Sequence, residues 1–319
     1  MYKNEPIFLQ PVFQERIWGG KKLKTEFSYN IPSEETGEAW VISAHPHGPS
    51  IIANGPLAGK SLADVWNEHG ELFNKLPDNQ EEYPLLVKIL DAADNLSVQV
   101  HPNDQFAREV EKVPYGKTEC WYVLSAEEDA ELVLGHHALS QEELAQMMDE
   151  GQWDQLLKHV KVKAGDFVYV PSGTIHAIGK GIMILETQQS SDITYRVYDY
   201  DRTDGAGNKR ELHLERAKQV TTVPHQDAKT ESKETTIGDL AEKKLVEEQY
   251  FTVYHWQLNG KASLKLTQDF LQVSVIQGKA AITIEGNSFS LEKGSHFLLP
   301  SGVQEYVLEG QAEFIVSHA

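Results

Sequence analysis

The feature that most constrains the fold of this 319-residue chain is an internal similarity between two segments. The stretch KAGDFVYVPSG at 163–173 aligns with EKGSHFLLPSG at 292–302, and each reads as a turn, an apolar strand and then Pro-Ser-Gly. A pattern that recurs within one chain indicates two copies of one structural unit. The sequence therefore predicts two related β units arranged in tandem.

Short apolar runs at close spacing predict strands through most of the chain. Such spacing is typical of a β-sandwich or barrel and not of a parallel α/β sheet. We therefore predict a mainly β fold made of two jelly-roll β-barrel units with a small helical segment. The predicted strands are 39–45, 50–55, 84–92, 96–102, 119–125, 130–137, 166–173, 182–189, 193–200, 250–258, 270–278, 279–286, 296–302 and 305–310.

Two helical segments interrupt the predicted strands. Ser61 can cap a helix over 61–76, whose apolar residues recur on one face and are expected to pack in the core. Ser140 and Glu143 have the spacing of a capping box at the start of a helical pair over 140–158.

A change of composition suggests where the two units meet. Residues 224–249 are polar and dense in charge, as is typical of a linker or a solvated connection. We therefore predict an N-terminal domain over 1–223, a polar connection over 224–249 and a second domain over 250–319.

The charge balance excludes several classes of partner. The 48 acidic residues outnumber the 29 basic ones, and a net charge of −19 repels nucleic acid and acidic lipid headgroups. The sequence contains neither an apolar run long enough to span a membrane nor an N-terminal secretion signal. The single cysteine, Cys120, fits a reducing compartment. We expect a cytoplasmic protein with a small-molecule partner, and the sequence assigns no oligomeric state.

Four polar residues in the first unit stand out from their apolar surroundings. Gln99 and His101 share one face of a strand because side chains alternate with a period of two. Glu119 begins the next long strand, and His176 follows the first Pro-Ser-Gly turn. Two imidazoles, a carboxylate and an amide oxygen suit a metal site of mixed nitrogen and oxygen ligands. The alternative is that each is an ordinary buried polar residue.

The second unit keeps the scaffold and lacks this polar set. Leu271 stands where the first unit has Glu119, and Glu305 stands where it has His176. A further alternative is a structural double barrel with no functional site. It would not explain why only one copy carries the polar residues. The comparison therefore favours a metal site in the first unit.

At these residues the sequence resembles the type I mannose-6-phosphate isomerases in their short bacterial form. These enzymes are zinc-dependent members of the cupin superfamily. The resemblance covers nearly the whole chain. It is carried by the motifs ERIWGG, GEAWVISAHPHGPS, LSVQVHPND, YGKTECWYVL, VPSGTIHAI and SDITYRVYDYDR.

The resemblance implies a set of site residues and a cofactor. It implies one Zn²⁺ per chain, an active-site arginine at Arg196, and Glu186 lining the pocket. Larger family members carry a helical domain between the last two ligands, where this chain has only the short helical pair. The implied zinc ligands are Gln99, His101, Glu119 and His176.

The implied reaction interconverts mannose 6-phosphate and fructose 6-phosphate. It takes a proton from the carbon next to a carbonyl, through an enediol whose oxygens become negative. Zinc can polarise those oxygens, and Arg196 can hold negative charge with a planar donor fork. Lys117, Glu186 and a zinc-bound water all remain candidates for the group that moves the proton.

A phosphosugar that approaches so acidic a protein requires local cations and polar contacts. Lys88 lies in an otherwise apolar strand, so it either has a ligand or carboxylate partner or extends to the surface. Lys117 stands two residues before Glu119 and shares its face if the strand extends that far. Ser97 is a further candidate. Two other pocket candidates from the matched N-terminal motifs are Trp18 and Glu38.

Two rival functions use the same residues. Two histidines and a carboxylate also suit an iron-dependent cupin oxygenase, although the added Gln99 and the nearby cations favour a phosphosugar. A non-enzymatic or regulatory sugar-phosphate-binding cupin is the other rival, but a binding module has less need of a Lewis acid. Metal analysis separates the first rival from an isomerase, and turnover of mannose 6-phosphate separates the second.

Overall fold

The computed structural model describes residues 2–319, and strands dominate the fold. The prediction of a mainly β chain with few helices is confirmed. The strands are β1 Ile7–Gln10, β2 Val12–Gly20, β3 Thr36–Ile42, β4 Ile51–Ile52, β5 Leu85–Asp91, β6 Val98–Val100, β7 Glu119–Ala126, β8 Glu131–His136, β9 Leu157–Lys161, β10 Phe167–Val170, β11 His176–Ile178, β12 Ile182–Gln189, β13 Tyr195–Tyr198, β14 Lys233–Ile237, β15 Leu240–Glu247, β16 Thr252–Lys265, β17 Leu271–Ile284, β18 Asn287–Glu292, β19 His296–Leu299 and β20 Glu305–His318. The helices are α1 Lys22–Phe27, α2 Leu62–Glu68, α3 Asp104–Phe106, α4 Gln141–Asp149, α5 Trp153–Leu156 and α6 Leu214–Val220.

Two antiparallel sheets face each other in the first unit. One has six strands in the order β10-β7-β12-β5-β3-β2, and the other has five in the order β13-β6-β11-β8-β9. A single buried cluster joins Trp121 and Ile184 of the six-stranded sheet to Leu132 and Ile178 of the five-stranded sheet. The sheets therefore form a sandwich of the jelly-roll kind whose inner faces enclose the space between them.

The outer faces of both sheets are covered as well. Helices α4, α5 and α6 pack on the five-stranded sheet through a cluster that includes Leu144, Leu156 and Ala217. The six-stranded sheet packs against α2 and the second unit, in a cluster that includes Ile89 and Phe251. Strands β5 and β12 are buried along their whole length because both of their faces are covered.

The second unit is one sheet of nine strands. Its order is β14-β15-β16-β20-β17-β19-β1-β4, with β18 paired to β17. The strand β1, at the start of the chain, pairs with β19 near its end. The first residues of the chain thus complete the sheet of the second unit, so the predicted division into 1–223 and 250–319 does not separate the two sheets.

The two similar segments adopt the same pairing. In the first unit Val170 of β10 lies opposite Glu119 of β7. In the second unit Leu299 of β19 lies opposite Leu271 of β17. These are equivalent positions in the sequence comparison, so the internal similarity corresponds to a shared hairpin-like pairing in the two units.

The prediction that residues 224–249 form a polar connection is wrong for much of the segment. Strands β14 and β15 form a hairpin within it that extends the second sheet. Leu240, Leu245 and Val246 of β15 are buried, whereas β14 is largely exposed. Edge strands carry many charged side chains because one edge and one face meet water, and this composition concealed the hairpin.

The helical segments are shorter than the patterns predict. Helix α2 ends at Glu68, two residues before Gly70, where a short 3-10 turn begins. The Ser140 side chain accepts the N–H of Glu143 as predicted, but the Glu143 carboxylate accepts the N–H of Leu139 in place of that of Ser140. None of the helices within residues 2–319 is long and apolar enough to cross a membrane.

We expect the packing of the second unit on the first to be essential for stability. Phe251 is 1% exposed at this junction, so Phe251→Ala removes buried contacts and leaves a cavity. Its expected cost is about 3–5 kcal/mol of unfolding free energy. The control is Leu139→Ala. Leu139 is 76% exposed, so its truncation should cost less than about 0.5 kcal/mol of unfolding free energy. Denaturant unfolding followed by circular dichroism measures both, and equal stabilities would contradict this assignment.

Candidate active site

Three of the predicted ligands meet between the two sheets of the first unit. His101 directly follows β6, Glu119 begins β7 and His176 begins β11. All three are buried, and their candidate ligand atoms lie within 4.8 Å of one another. The Nε2 atom of His176 lies 3.2 Å from Glu119 Oε1, and that of His101 lies 3.5 Å from Glu119 Oε2.

The protonation of these groups suits a cation. His176 donates a hydrogen bond from Nδ1 to the Thr174 carbonyl at 2.8 Å, which leaves the lone pair of Nε2 free. Burial, together with Lys117, lowers the pKa of His101 to about 3, so this imidazole is neutral at physiological pH. Among residues 2–319, no hydrogen-bond partner satisfies either ring nitrogen of His101 or Nε2 of His176. Buried polar atoms rarely lack partners, and this donor set fits a metal ion such as zinc.

Gln99 lies beside these ligands on the same sheet. Its Cα pairs with that of His176 in β11 on one side and with that of Arg196 in β13 on the other. Residues that pair directly across neighbouring strands project to the same face of the sheet. Gln99 also lines the adjoining cavity, and its direct ligation of the metal stays a prediction.

Buried lysines pair with buried carboxylates along the six-stranded sheet. Lys117 Nζ lies 3.1 Å from Glu119 Oε2, although Lys117 precedes the start of β7. Lys88 Nζ lies 3.4 Å from Glu186 Oε2 and 3.9 Å from Glu38 Oε2. Of the two expectations for Lys88, the buried arrangement with carboxylate partners is the one observed, because only 5% of the residue is exposed.

These contacts move the protonation equilibria in opposite directions. Burial alone would raise the pKa of Glu119, but Lys117, His176 and His101 together hold it well below its usual range. Burial and the Glu119 carboxylate raise the pKa of Glu186. Burial alone would lower the pKa of Lys117, but the carboxylates of Glu119, Glu186 and Glu38 together outweigh burial and raise it. Lys117 is therefore an ammonium ion. Of the two carboxylates Glu119 and Glu186, that of Glu186 takes up a proton more readily.

A cavity of about 630 Å³ opens beside the three ligands. Nine of the eleven residues predicted for the site line it, and the other two, His101 and His176, contact the lining residue Glu119 from behind. The structure thus brings all eleven predicted residues together. The nine are Trp18, Glu38, Lys88, Ser97, Gln99, Lys117, Glu119, Glu186 and Arg196.

Sequence reasoning missed several other residues of this cavity. Arg16 Nε and Trp40 Nε1 donate to the Glu38 carboxylate at 2.8 and 2.6 Å. Lys88 and Arg16 hold the pKa of Glu38 below its usual value even though burial opposes them. The alternation of Glu38 and Trp40 in one strand was a usable signal. Arg210 also lines the cavity, but it lies in a loop with no periodic pattern.

A second group of potential ligands lies at the cavity wall. His47 Nδ1 lies 2.5 Å from Asp192 Oδ2, and His45 Nε2 lies 3.6 Å from Asp192 Oδ1. His45 Nδ1 accepts the backbone N–H of His47, so its own proton resides on Nε2 and faces the carboxylate. In this tautomer His47 and Asp192 are joined by a hydrogen bond, and Nε2 of His45 lies beside the same carboxylate.

Known proteins resemble the chain over nearly its full length. A family model for the catalytic domain of type I phosphomannose isomerases matches residues 7–146, and one for the cupin domain of mannose-6-phosphate isomerase matches residues 241–319. A mannose-6-phosphate isomerase of Bacillus subtilis is 51% identical over 315 residues, which are 99% of each chain. One of Streptococcus mutans is 50% identical over 99% of this chain and 98% of its own.

Solved structures agree with these matches. The crystal structure of a mannose 6-phosphate isomerase from Bacillus subtilis has a TM-score of 0.96 and 48% identity, covering 98% of this chain and 99% of that one. A mutant phosphomannose isomerase of Salmonella typhimurium has the same fold, with a TM-score of 0.80 and 16% identity over 98% of this chain and 99% of its own. The expected cupin-like fold is thereby confirmed. Identity of about half over the whole length shows that the chain belongs to the type I mannose-6-phosphate isomerase family.

Proposed function

We propose that this protein is a zinc-dependent aldose–ketose isomerase that interconverts mannose 6-phosphate and fructose 6-phosphate through an enediol. The observation that carries the proposal is the buried group of His101, Glu119 and His176 beside a cavity walled by lysines and a carboxylate. The names of the relatives, mannose-6-phosphate isomerase, support the same substrate.

The metal would be held by residues of both sheets. His101, Glu119 and His176 supply two imidazole nitrogens and a carboxylate, and Gln99 would supply an amide oxygen. When bound, zinc supplies a Lewis acid that polarises the substrate oxygens and orients the opened sugar.

Among the candidates for the proton carrier, the electrostatics of the site favour Glu186, which lines the cavity. The isomerisation removes the proton from C2 of mannose 6-phosphate and returns a proton at C1. A base with a pKa near the working pH accepts and returns a proton best, and the pKa of Glu186 is raised by burial and by Glu119. Lys117 is held as an ammonium ion by Glu119, so it is a poor base in this setting.

The cations are suited to the negative charge of the substrate and of the enediol. Lys88 and Lys117 are buried and line the cavity, and Arg196 of the five-stranded sheet lines the same cavity with a planar donor group. Buried cations act more strongly than exposed ones because the surrounding dielectric constant is lower. This local positive charge would offset the overall charge of −19 for an approaching phosphosugar.

The remaining predicted residues would contact the sugar. Glu38 is fixed by Arg16 and Trp40, so its carboxylate is rigid before substrate arrives. Trp18 and Ser97 are buried residues of the same cavity. We propose that Glu38, Trp18 and Ser97 bind the carbon chain and its hydroxyl groups.

Removal of the metal should abolish activity. We expect about one zinc ion per chain and conversion of mannose 6-phosphate to fructose 6-phosphate, with loss on chelation and recovery when zinc is restored. His101→Ala should lower metal affinity and activity by more than about 100-fold, because it removes a ligand and not only a supporting contact. His159→Ala, a partly exposed histidine on β9, is the matched control and should retain both.

Metal analysis measures the bound zinc, and a coupled isomerase assay measures the turnover of mannose 6-phosphate. Other results would support one of the rival functions or contradict the site. Bound iron with oxygen consumption would establish the oxygenase alternative. Bound zinc with phosphosugar binding but no turnover would establish the binding protein. Absence of bound metal after reconstitution would contradict the proposed site.

Substitution of the proposed proton carrier should affect chemistry and leave the metal in place. Glu186→Gln keeps the size of the side chain but removes its basicity, and kcat should fall by about 10²–10⁴-fold at unchanged zinc content. Glu15→Gln is the matched control, since Glu15 lines the same cavity but is exposed. Initial rates with unlabelled and C2-deuterated mannose 6-phosphate measure the effect, and a wild-type kcat for Glu186→Gln would eliminate Glu186 as the base.

A further inference from the structure

Two arginines share one buried carboxylate at the end of β13. Asp199 is 5% exposed and directly follows that strand. Arg210 donates to it from Nε at 2.8 Å and from Nη2 at 2.6 Å, each bond ending on a different oxygen. Arg202 donates two bonds, of 3.0 and 2.8 Å, to the same single oxygen. This bidentate pairing with Asp199 fixes the plane of the Arg210 guanidinium.

The two arginines differ in what they face. Arg210 lines the cavity of the candidate active site, and within residues 2–319 its third nitrogen, Nη1, has no hydrogen-bond partner. Arg202 is not part of that lining, and its Nη1 donates to Asp94 at 3.4 Å while its guanidinium lies over the Tyr200 ring. Arg210 is therefore fixed toward the cavity, whereas Arg202 serves contacts elsewhere.

Positive charge exceeds negative charge at this end of the cavity. Arg196 lines the wall with Arg210, donates to the Glu211 carbonyl at 2.7 Å and has a buried Nε with no partner in the described chain. Burial and the neighbouring Arg210 lower the pKa of Arg196, in keeping with their closeness. In the described chain, Asp199 is the only carboxylate that pairs with Arg210. Such a guanidinium pair is suited to an oxyanion with several acceptor oxygens.

The arginine end lies a fixed distance from the metal ligands. Arg196, Gln99 and His176 stand opposite one another on the neighbouring strands β13, β6 and β11. Neighbouring strands are about 4.8 Å apart, so the backbones of Arg196 and His176 are separated by about 10 Å. An open-chain hexose 6-phosphate whose C1 and C2 lie at the metal ligands has its phosphate at the other end of the molecule, toward the arginines.

We propose that Arg210 binds the phosphate group of the substrate and that Asp199 is the positioning residue that holds its guanidinium at the cavity wall. This inference rests on the proposed function and adds to it a phosphate-binding residue that lies outside the motifs of the sequence.

Steady-state kinetics of three variants test the proposal. We expect Arg210→Gln to raise KM for mannose 6-phosphate, and the Ki of inorganic phosphate as a competitive inhibitor, by about 10- to 100-fold, with kcat within about 3-fold. Arg210→Lys keeps the charge without the planar fork and should give intermediate values. Asp199→Asn should raise both constants by a smaller factor because Arg210 is still present but less fixed.

Arg202→Gln is the matched control, because Arg202 bonds to the same carboxylate but does not line the cavity. Its KM and Ki should stay within about 3-fold of wild type, and circular dichroism melting checks that every variant is folded. Equal shifts in Arg202→Gln and Arg210→Gln, or unchanged constants in Arg210→Gln, would overturn the assignment.

The test also separates this inference from the proposed function. If the wild-type protein does not convert mannose 6-phosphate, the proposed function fails. Titration calorimetry with inorganic phosphate then compares wild type, Arg210→Gln and Arg202→Gln without any need for turnover. Weaker phosphate binding in Arg210→Gln alone would support the arginine site, and equal binding in all three proteins would refute it.

Discussion

The rest of the site depends on the burial of one carboxylate, that of Glu119. A carboxylate that is 1% exposed is costly unless opposite charges and hydrogen bonds compensate it, and here Lys117 Nζ lies 3.1 Å from Oε2 while Trp121 Nε1 donates to Oε1 at 3.1 Å. The imidazoles of His101 and His176 lie beside the same carboxylate at 3.5 and 3.2 Å. Glu119 belongs to the six-stranded sheet, whereas the two histidines belong to or adjoin strands of the five-stranded sheet. The candidate ligands therefore come together because the two sheets face each other, and the apolar cluster between the sheets holds that arrangement.

The second unit contributes to the site although it lacks the polar set. It covers the outer face of the six-stranded sheet, so that β5 and β12 are buried on both faces. These strands carry Lys88 and Glu186, which lie opposite each other in the ladder. If the outer face were open to water, the dielectric constant around these charges would rise and their mutual attraction would weaken. The second unit, which lacks the candidate ligands, thus keeps water from the outer face of the sheet that carries Lys88 and Glu186.

The sequence predicts those parts of the molecule in which a residue pattern recurs at regular intervals. The alternation of Gln99 and His101 within an apolar strand, and the aligned segments at 163–173 and 292–302, lead to the ligand cluster and to two related units. The hairpin within 224–249 was missed because an edge strand is mostly solvated and looks like a linker in composition. The pairing of Arg210 with Asp199 was missed because the loop between them, eleven residues along the chain, has no periodic pattern.

The architecture also fixes part of the spacing across the candidate site. Register places Arg196, Gln99 and His176 in one row across three strands, and the spacing of strands in a sheet varies little. The distance between the backbones of Arg196 and His176 is therefore set by the sheet, and it changes only if the strand register shifts, which would turn the paired residues to the other face. Arg210, in contrast, reaches the cavity from a loop, and its two bonds to Asp199 place its guanidinium. The sheet and the Asp199 contacts together would thus set how far the proposed phosphate-binding arginine lies from the candidate metal ligands.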